Sequence, residues 1–183
     1  MIKRREFLQG AAVLAATLLV PEVLALPSHK RRVKPRYDRV LRLHNLHTDE
    51  RLVARYVADG YYQPDELLAI NRLLRDHRSD EVTNIDYHLL DQLYILQFAL
   101  GKHRNFEVIS AYRSPNTNQH LFKTTSGVAK KSLHMQGRAI DVRLAGVDLS
   151  RLRKAALAMQ AGGVGYYPES NFLHLDTGRY RYW

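Results

Sequence analysis

Ser132-Leu133-His134-Met135-Gln136-Gly137-Arg138-Ala139-Ile140-Asp141 sets a histidine and an aspartate on either side of a glycine. A second run, Asn171-Phe172-Leu173-His174-Leu175-Asp176, sets another histidine in a short apolar segment. Asp141 lies among Ala139, Ile140 and Val142, a β-branched context that predicts a strand. A carboxylate inside such a strand needs a partner, because burying it unpaired is expensive. Gly137 supplies a turn that can fold His134 back toward Asp141. The run around His174 predicts a neighbouring strand. Two imidazoles and one carboxylate, His134, Asp141 and His174, make a three-ligand set for Zn²⁺, and catalytic zinc sites use such a set with a fourth position left for water. Taken singly, each histidine is more readily a solvated or hydrogen-bonded side chain than a ligand.

Working outward, Asp148-Leu149-Ser150 leads into a helix from about residue 152 to 160. Gly162-Gly163-Val164-Gly165 ends it and feeds a strand over 164–167. This glycine run lacks the Lys-Ser/Thr of a phosphate loop, so its glycines are expected to permit close backbone approach, beside substrate. Of Tyr166 and Tyr167, one is expected in the core. Upstream, Phe106–Ser110 reads as a strand that turns out through Ala111-Tyr112-Arg113-Ser114-Pro115. Arg113 then either reaches into a cleft or pairs with an aspartate at the surface. Residues 116–123 predict a short helix, and the polar stretch 124–131 a loop that can cover the site.

Further upstream, Val40–Leu46 and Arg51–Val57 alternate apolar and polar residues about Thr48-Asp49-Glu50, which predicts a hairpin. His44 and His47 fall at its edge or turn. Pro64 opens a helix through about His77, with Asp65 and Glu66 favourable in its first turn. A second helix spans roughly Asp86 to Leu100 and stops at Gly101. A strand pair, then helices, then strands around a helix make an α+β domain with an antiparallel sheet carrying the site. There is no internal repeat and no second domain.

The chain has 183 residues, no cysteine and a formal charge of +10. Without cysteine there are no thiolate metal sites, no thiol nucleophile, no disulfides and no lipoprotein anchor. Lys3-Arg4-Arg5-Glu6-Phe7-Leu8, the apolar run 11–20 and Val23-Leu24-Ala25 read as a twin-arginine export signal cut after Ala25. The apolar run is too short for a membrane span of ~20 residues and is broken by Pro21 and Glu22. Residues 1–25 are therefore expected to be a leader, 26–38 a basic tether, and 39–183 the catalytic domain in the periplasm. The basic balance suits a polyanionic neighbour. An export signal argues for an envelope polymer over nucleic acid.

The pattern Ser-x-His-x-x-Gly-x-Ala-x-Asp, a downstream strand histidine and the upstream Ser110-Ala111-Tyr112-Arg113-Ser114 resemble the zinc peptidases of the D-Ala-D-Ala peptidase and Hedgehog fold. Asn45-Leu46-His47-Thr48, Gly127–Ser132 and Ala161–Pro168 share in the resemblance, which runs from the leader to Trp183. It implies a murein endopeptidase acting on peptide cross-links of peptidoglycan, with links between two diaminopimelate residues among the candidates. It also implies that Arg113 holds the peptide and offsets charge on the attacked carbonyl, a role suited to its forked donors. The fold's alternatives are a carboxypeptidase trimming D-Ala termini and a non-catalytic peptidoglycan-binding module.

Zinc-assisted amide hydrolysis needs a group that takes the proton of the attacking water. Many proteins that this chain resembles carry Glu or His three residues before the last zinc histidine; here that residue is Asn171. Asp176 shares a strand face with His174. It is a candidate for the base, and equally for a carboxylate that orients a zinc histidine. His-Glu-x-x-His and Gly-x-Ser-x-Gly are both absent from the sequence, which removes two other hydrolase templates.

Overall fold

Alternation builds the first hairpin. Leu41 and Leu43 of β1 (Arg39–Asn45) are buried, as are Ala54 and Tyr56 of β2 (Arg51–Ala58), and Leu41 pairs with Ala54. The computed structural model describes residues 38–125 and 127–183. The expected leader, its cleavage point and all of the tether except Asp38 lie outside the described residues. Among the described residues no helix is long and apolar enough to cross a membrane.

After β2 come a two-residue strand β3 (Tyr61–Tyr62), α1 (Pro64–Leu73), α2 (Tyr87–Gly101) and β4 (Phe106–Ser110). Then follow α3 (Pro115–Thr124), β5 (Ala139–Leu144), α4 (Leu149–Met159), β6 (Gly163–Tyr167), β7 (Phe172–Asp176) and β8 (Arg181–Tyr182). The eight strands form one sheet in the order β3-β2-β1-β4-β5-β7-β6-β8. The molecule is α+β, as the sequence suggests, but the sheet is mixed where an antiparallel one was expected. β1 and β4 run parallel, and so do β6 and β8. A parallel pair needs a long crossover, and the two helices between β2 and β4 supply it. The strands that carry the site, β4, β5, β7 and β6, are mutually antiparallel.

α2 is capped by Asp86, whose side chain accepts the N–H of His88, and it buries Leu89, Leu90, Leu93 and Leu96. α1 ends at Leu73, before the expected His77. The chain turns there because the buried Asp76 carboxylate accepts the backbone N–H groups of Arg78, at 3.0 Å, and Ser114, at 2.9 Å. Side-chain acceptance of this kind competes with helix continuation. The helices cover one sheet face, where Phe106, Val108, Ile140, Val142, Leu173 and Leu175 are at most 1 % exposed. Burying each of these side chains contributes roughly 1.5–3 kcal/mol. Because side chains alternate along a strand, Asp141, His174 and Asp176 face the other side of that sheet.

Candidate metal centre at the antiparallel strands

Asp141 and His174 are direct cross-strand partners on β5 and β7. His134 arrives from a single 3₁₀ turn, Leu133–Gln136, in which Ser132 Oγ accepts the N–H of His134. The turn is closed by Gly137 at φ +64°. A side chain there would strike the carbonyl of Asn84, so this position requires glycine.

The three expected ligands come together. His174 Nδ1 lies 2.9 Å and His134 Nε2 3.4 Å from Asp141 Oδ1, and the two ring nitrogens are 3.3 Å apart. The outer nitrogens determine what the inner ones offer. His134 Nδ1 lies 2.6 Å from the carbonyl oxygen of Ala111, an acceptor, so Nδ1 carries the proton and Nε2 presents a lone pair. His174 Nε2 lies 3.0 Å from the Asp176 carboxylate, so the neutral ring that donates there offers Nδ1 as a lone pair toward Asp141. In that neutral form two lone pairs and a carboxylate oxygen converge on one point. That is a donor set for a cation, and imidazole plus carboxylate fits Zn²⁺.

With no cation bound, the two carboxylates favour a second proton on His174: burial opposes a charge on the ring, but Asp141 and Asp176 outweigh it and push the imidazole up to about 9, so a metal ion would have to displace that proton. Burial also works against ionised Asp141, yet His134 and His174 hold it well below the usual carboxylate range. The centre is built to receive positive charge.

Asp176 is fully buried behind His174, on the side away from Asp141. Its oxygens accept from Gly163 N–H at 3.0 Å and Gly178 N–H at 2.8 Å, and they receive the Arg181 guanidinium at 2.6 and 3.1 Å. Burial works against its charge, but these donors together hold it well below the usual carboxylate range. Of its two roles left open by the sequence, the orienting one matches this geometry.

Arg113 follows β4 and lines the same cleft as the three ligands. It makes long hydrogen bonds to Asn118 Oδ1 at 3.3 Å and Ser110 Oγ at 3.4 Å, and its buried Nε has no partner. Among the described residues no carboxylate forms a salt bridge with it. Desolvation lowers its pKa. The guanidinium is thus held in the cleft with donors to spare, unlike a surface arginine paired with an aspartate. The covering loop is anchored by Asn118 Nδ2, which donates to the carbonyls of Ala129 and Lys130 at 3.2 and 3.3 Å.

Tyr167, of the tyrosine pair that the sequence allowed in the core or along the cleft, lines the cleft together with Phe172 and Trp183, which were not foreseen; it stacks on Phe172 and accepts from Trp183 Nε1 at 2.8 Å. Tyr166 is the core member of the tyrosine pair. His47 stacks on His77, and His44 pairs with Asp49; neither lines the cleft. The glycines of β6 face protein, not substrate. Side chains at Gly163 and Gly165 would strike Asp176, Arg181 and Trp183.

Fold and site together define a metallopeptidase of the α+β type, with a His-Asp-His centre set into antiparallel strands. The chain belongs to the family described as peptidoglycan L,D-endopeptidase MepK, whose family model matches residues 33–183. It is 46% identical over 176 residues to the peptidoglycan L,D-endopeptidase MepK of Escherichia coli strain K12, covering 96% of this chain and 93% of that protein. It is 39% identical over 182 residues to a probable peptidoglycan L,D-endopeptidase MepK of Haemophilus influenzae, covering 99% of this chain and 95% of that one. No solved structure matches.

Proposed function

We propose that this chain is a zinc-dependent peptidoglycan endopeptidase that hydrolyses L,D amide bonds in peptide cross-links, those between two diaminopimelate residues included. The observation that carries the reading is the convergence of His134 Nε2, His174 Nδ1 and an Asp141 oxygen beside an arginine that has no carboxylate partner among the described residues. The kinship with MepK proteins supplies the substrate.

His134, Asp141 and His174 would hold the ion. When bound, Zn²⁺ supplies Lewis-acid polarisation of a carbonyl and an acidified water. The chain's own residues do the rest. The Ala111 carbonyl and the Asp176 carboxylate fix the tautomers of the two imidazoles. Arg113 donates to the oxygen on which charge develops, in a partly desolvated cleft where such a donor is worth most. Tyr167, Phe172 and Trp183 give the cleft apolar surface on which the substrate's peptide can rest. Asp176 is assigned as an orienting carboxylate, since its oxygens are already engaged by His174, Arg181, Gly163 and Gly178.

We place the protein in the periplasm on the strength of the twin-arginine leader over 1–25. The mature chain would begin after Ala25, with 26–38 as a basic tether ahead of the catalytic domain. The test is digestion of purified sacculi with residues 26–183, with and without chelator, followed by muropeptide analysis. Loss of cross-linked muropeptides that chelator prevents is expected. Loss of terminal D-Ala from monomers would point to a carboxypeptidase, and an unchanged profile to a binding module.

A further inference from the structure

Arg181 of β8 and Trp183 just after it reach the candidate metal centre across an intervening strand. β8 lies at the sheet edge, paired in parallel with β6, with Arg181 opposite Gly163. β6 separates it from β7, which carries His174 and Asp176. Any ordinary side chain at Gly163 or Gly165 would fill the gap. A Cβ at Gly163 would press on Asp176 and lie 2.6 Å from Arg181 Nη1; one at Gly165 would lie 2.8 Å from the Trp183 ring. The bare backbone of β6 is therefore a lane through which β8 touches β7.

Through that lane Arg181 forks onto both oxygens of Asp176, at 2.6 and 3.1 Å. Asp176 accepts from His174 Nε2 at 3.0 Å. The Trp183 ring lies 5.4 Å from the His174 ring, and the Arg181 guanidinium lies 5.1 Å from the Trp183 ring. The strand is tied down by Trp183 N–H to Val164 O at 3.2 Å and by Tyr166 N–H to Trp183 O at 3.0 Å.

We propose that Arg181 is a positioning residue of the metal centre, acting through Asp176 on His174 across the glycine lane of β6. A carboxylate between a guanidinium and an imidazole is held in one rotamer by the two-point fork. It then fixes the ring's tautomer and its aim, which is how partners of metal-bound histidines tune affinity. A lysine at this position delivers one point charge and no fork.

The proposal rests on the zinc reading above, and the experiment separates the two. Zinc affinity of residues 26–183 is measured by competition with a chromogenic chelator for wild type, R181Q and R181K, with circular-dichroism melting of each apo form. R181Q is expected to bind zinc roughly 10–100-fold more weakly, R181K to fall between, and the apo melting curves to stay close. Excess zinc should restore most of the turnover of R181Q. Zinc affinity in folded R181Q equal to wild type overturns the proposal, as does a turnover loss that saturating zinc leaves in place. If R181Q does not fold, R181K decides: weaker binding than wild type supports the role and equal binding overturns it. A wild-type chain that binds no zinc sinks the metal reading itself, and the positioning role with it.

Discussion

The Nδ1–H of His134 donates to the carbonyl oxygen of Ala111 over 2.6 Å. In the neutral ring this bond leaves Nε2 as a lone pair aimed at Asp141, the arrangement that a metal ligand needs. The same carbonyl belongs to the segment that carries Arg113, so the candidate ligand and the cleft arginine are set by one stretch of backbone.

Replacing any ligand should therefore remove metal and activity together. H134A, D141N and H174A are each expected to weaken zinc binding by more than the ~10–100-fold that loss of an outer partner produces. Elemental analysis of the dialysed variants and muropeptide digestion check this. A variant that cleaves with no bound metal would refute the assignment.

Arg113 makes no ion pair among the described residues, so its removal should spare the fold and spoil the reaction. R113A is expected to lower kcat by about 10²–10³-fold, the usual loss for one oxyanion donor, with zinc content unchanged. R113K should recover only part, since it lacks the fork. Steady-state kinetics on a purified cross-linked muropeptide separate kcat from KM. A change confined to KM would make Arg113 a substrate grip only.

Asp176 gives a contrasting expectation. D176N leaves an amide beside His174 and breaks the fork with Arg181. Zinc affinity should fall about 10–100-fold, with turnover largely regained at saturating zinc. A turnover loss at full zinc loading would restore Asp176 as the proton acceptor.

Acid sensitivity follows from Asp76. Burial works against its charge, but donors from Thr117, Ser114 and Arg78 outweigh it and lower the carboxyl to about 2, from an ordinary 3.8. A folded-state pKa below the unfolded one gives stability that is present above 3.8 and is lost as pH falls toward 2. The shift corresponds to about 2 kcal/mol. D76N should lose that much at pH 7 in denaturant titrations, and the gap from wild type should close as pH approaches 2. A gap independent of pH would assign the loss to packing.

Much of this was legible in the chain because it is local. The apolar runs around Asp141 and His174 announce strands, and Pro64 and Asp86 announce helix starts by their own chemistry. The meeting of His134, Asp141 and His174 was legible because two of them stand on short apolar runs and the third sits beside a glycine turn. What the sequence conceals is long-range pairing. β3 and β8 are two residues each, too short for a periodic signal. The parallel placement of β4 depends on the crossover, not on its residues. The end of α1 depends on Asp76 reaching Ser114, 38 positions away. The glycines of β6 were visible as glycines, but their reason lies in Arg181 and Trp183, which nothing nearby in the chain announces.

Those glycines supply the last test. A Cβ at Gly165 would lie 2.8 Å from the Trp183 ring and 2.9 Å from Tyr167 Cε2, closer than real side chains pack. G165A should therefore destabilise the protein by about 1–3 kcal/mol, the usual range for overpacking. The strain is shared with one large neighbour, so the two positions should couple. In the W183A background the penalty of G165A should shrink, giving a double-mutant coupling of the 0.5–3 kcal/mol seen for residues in contact. Urea unfolding of the four chains in the cycle measures it. Additive losses would show that Trp183 does not occupy the space above Gly165 in solution, and the aromatic wall of the cleft would have to be redrawn.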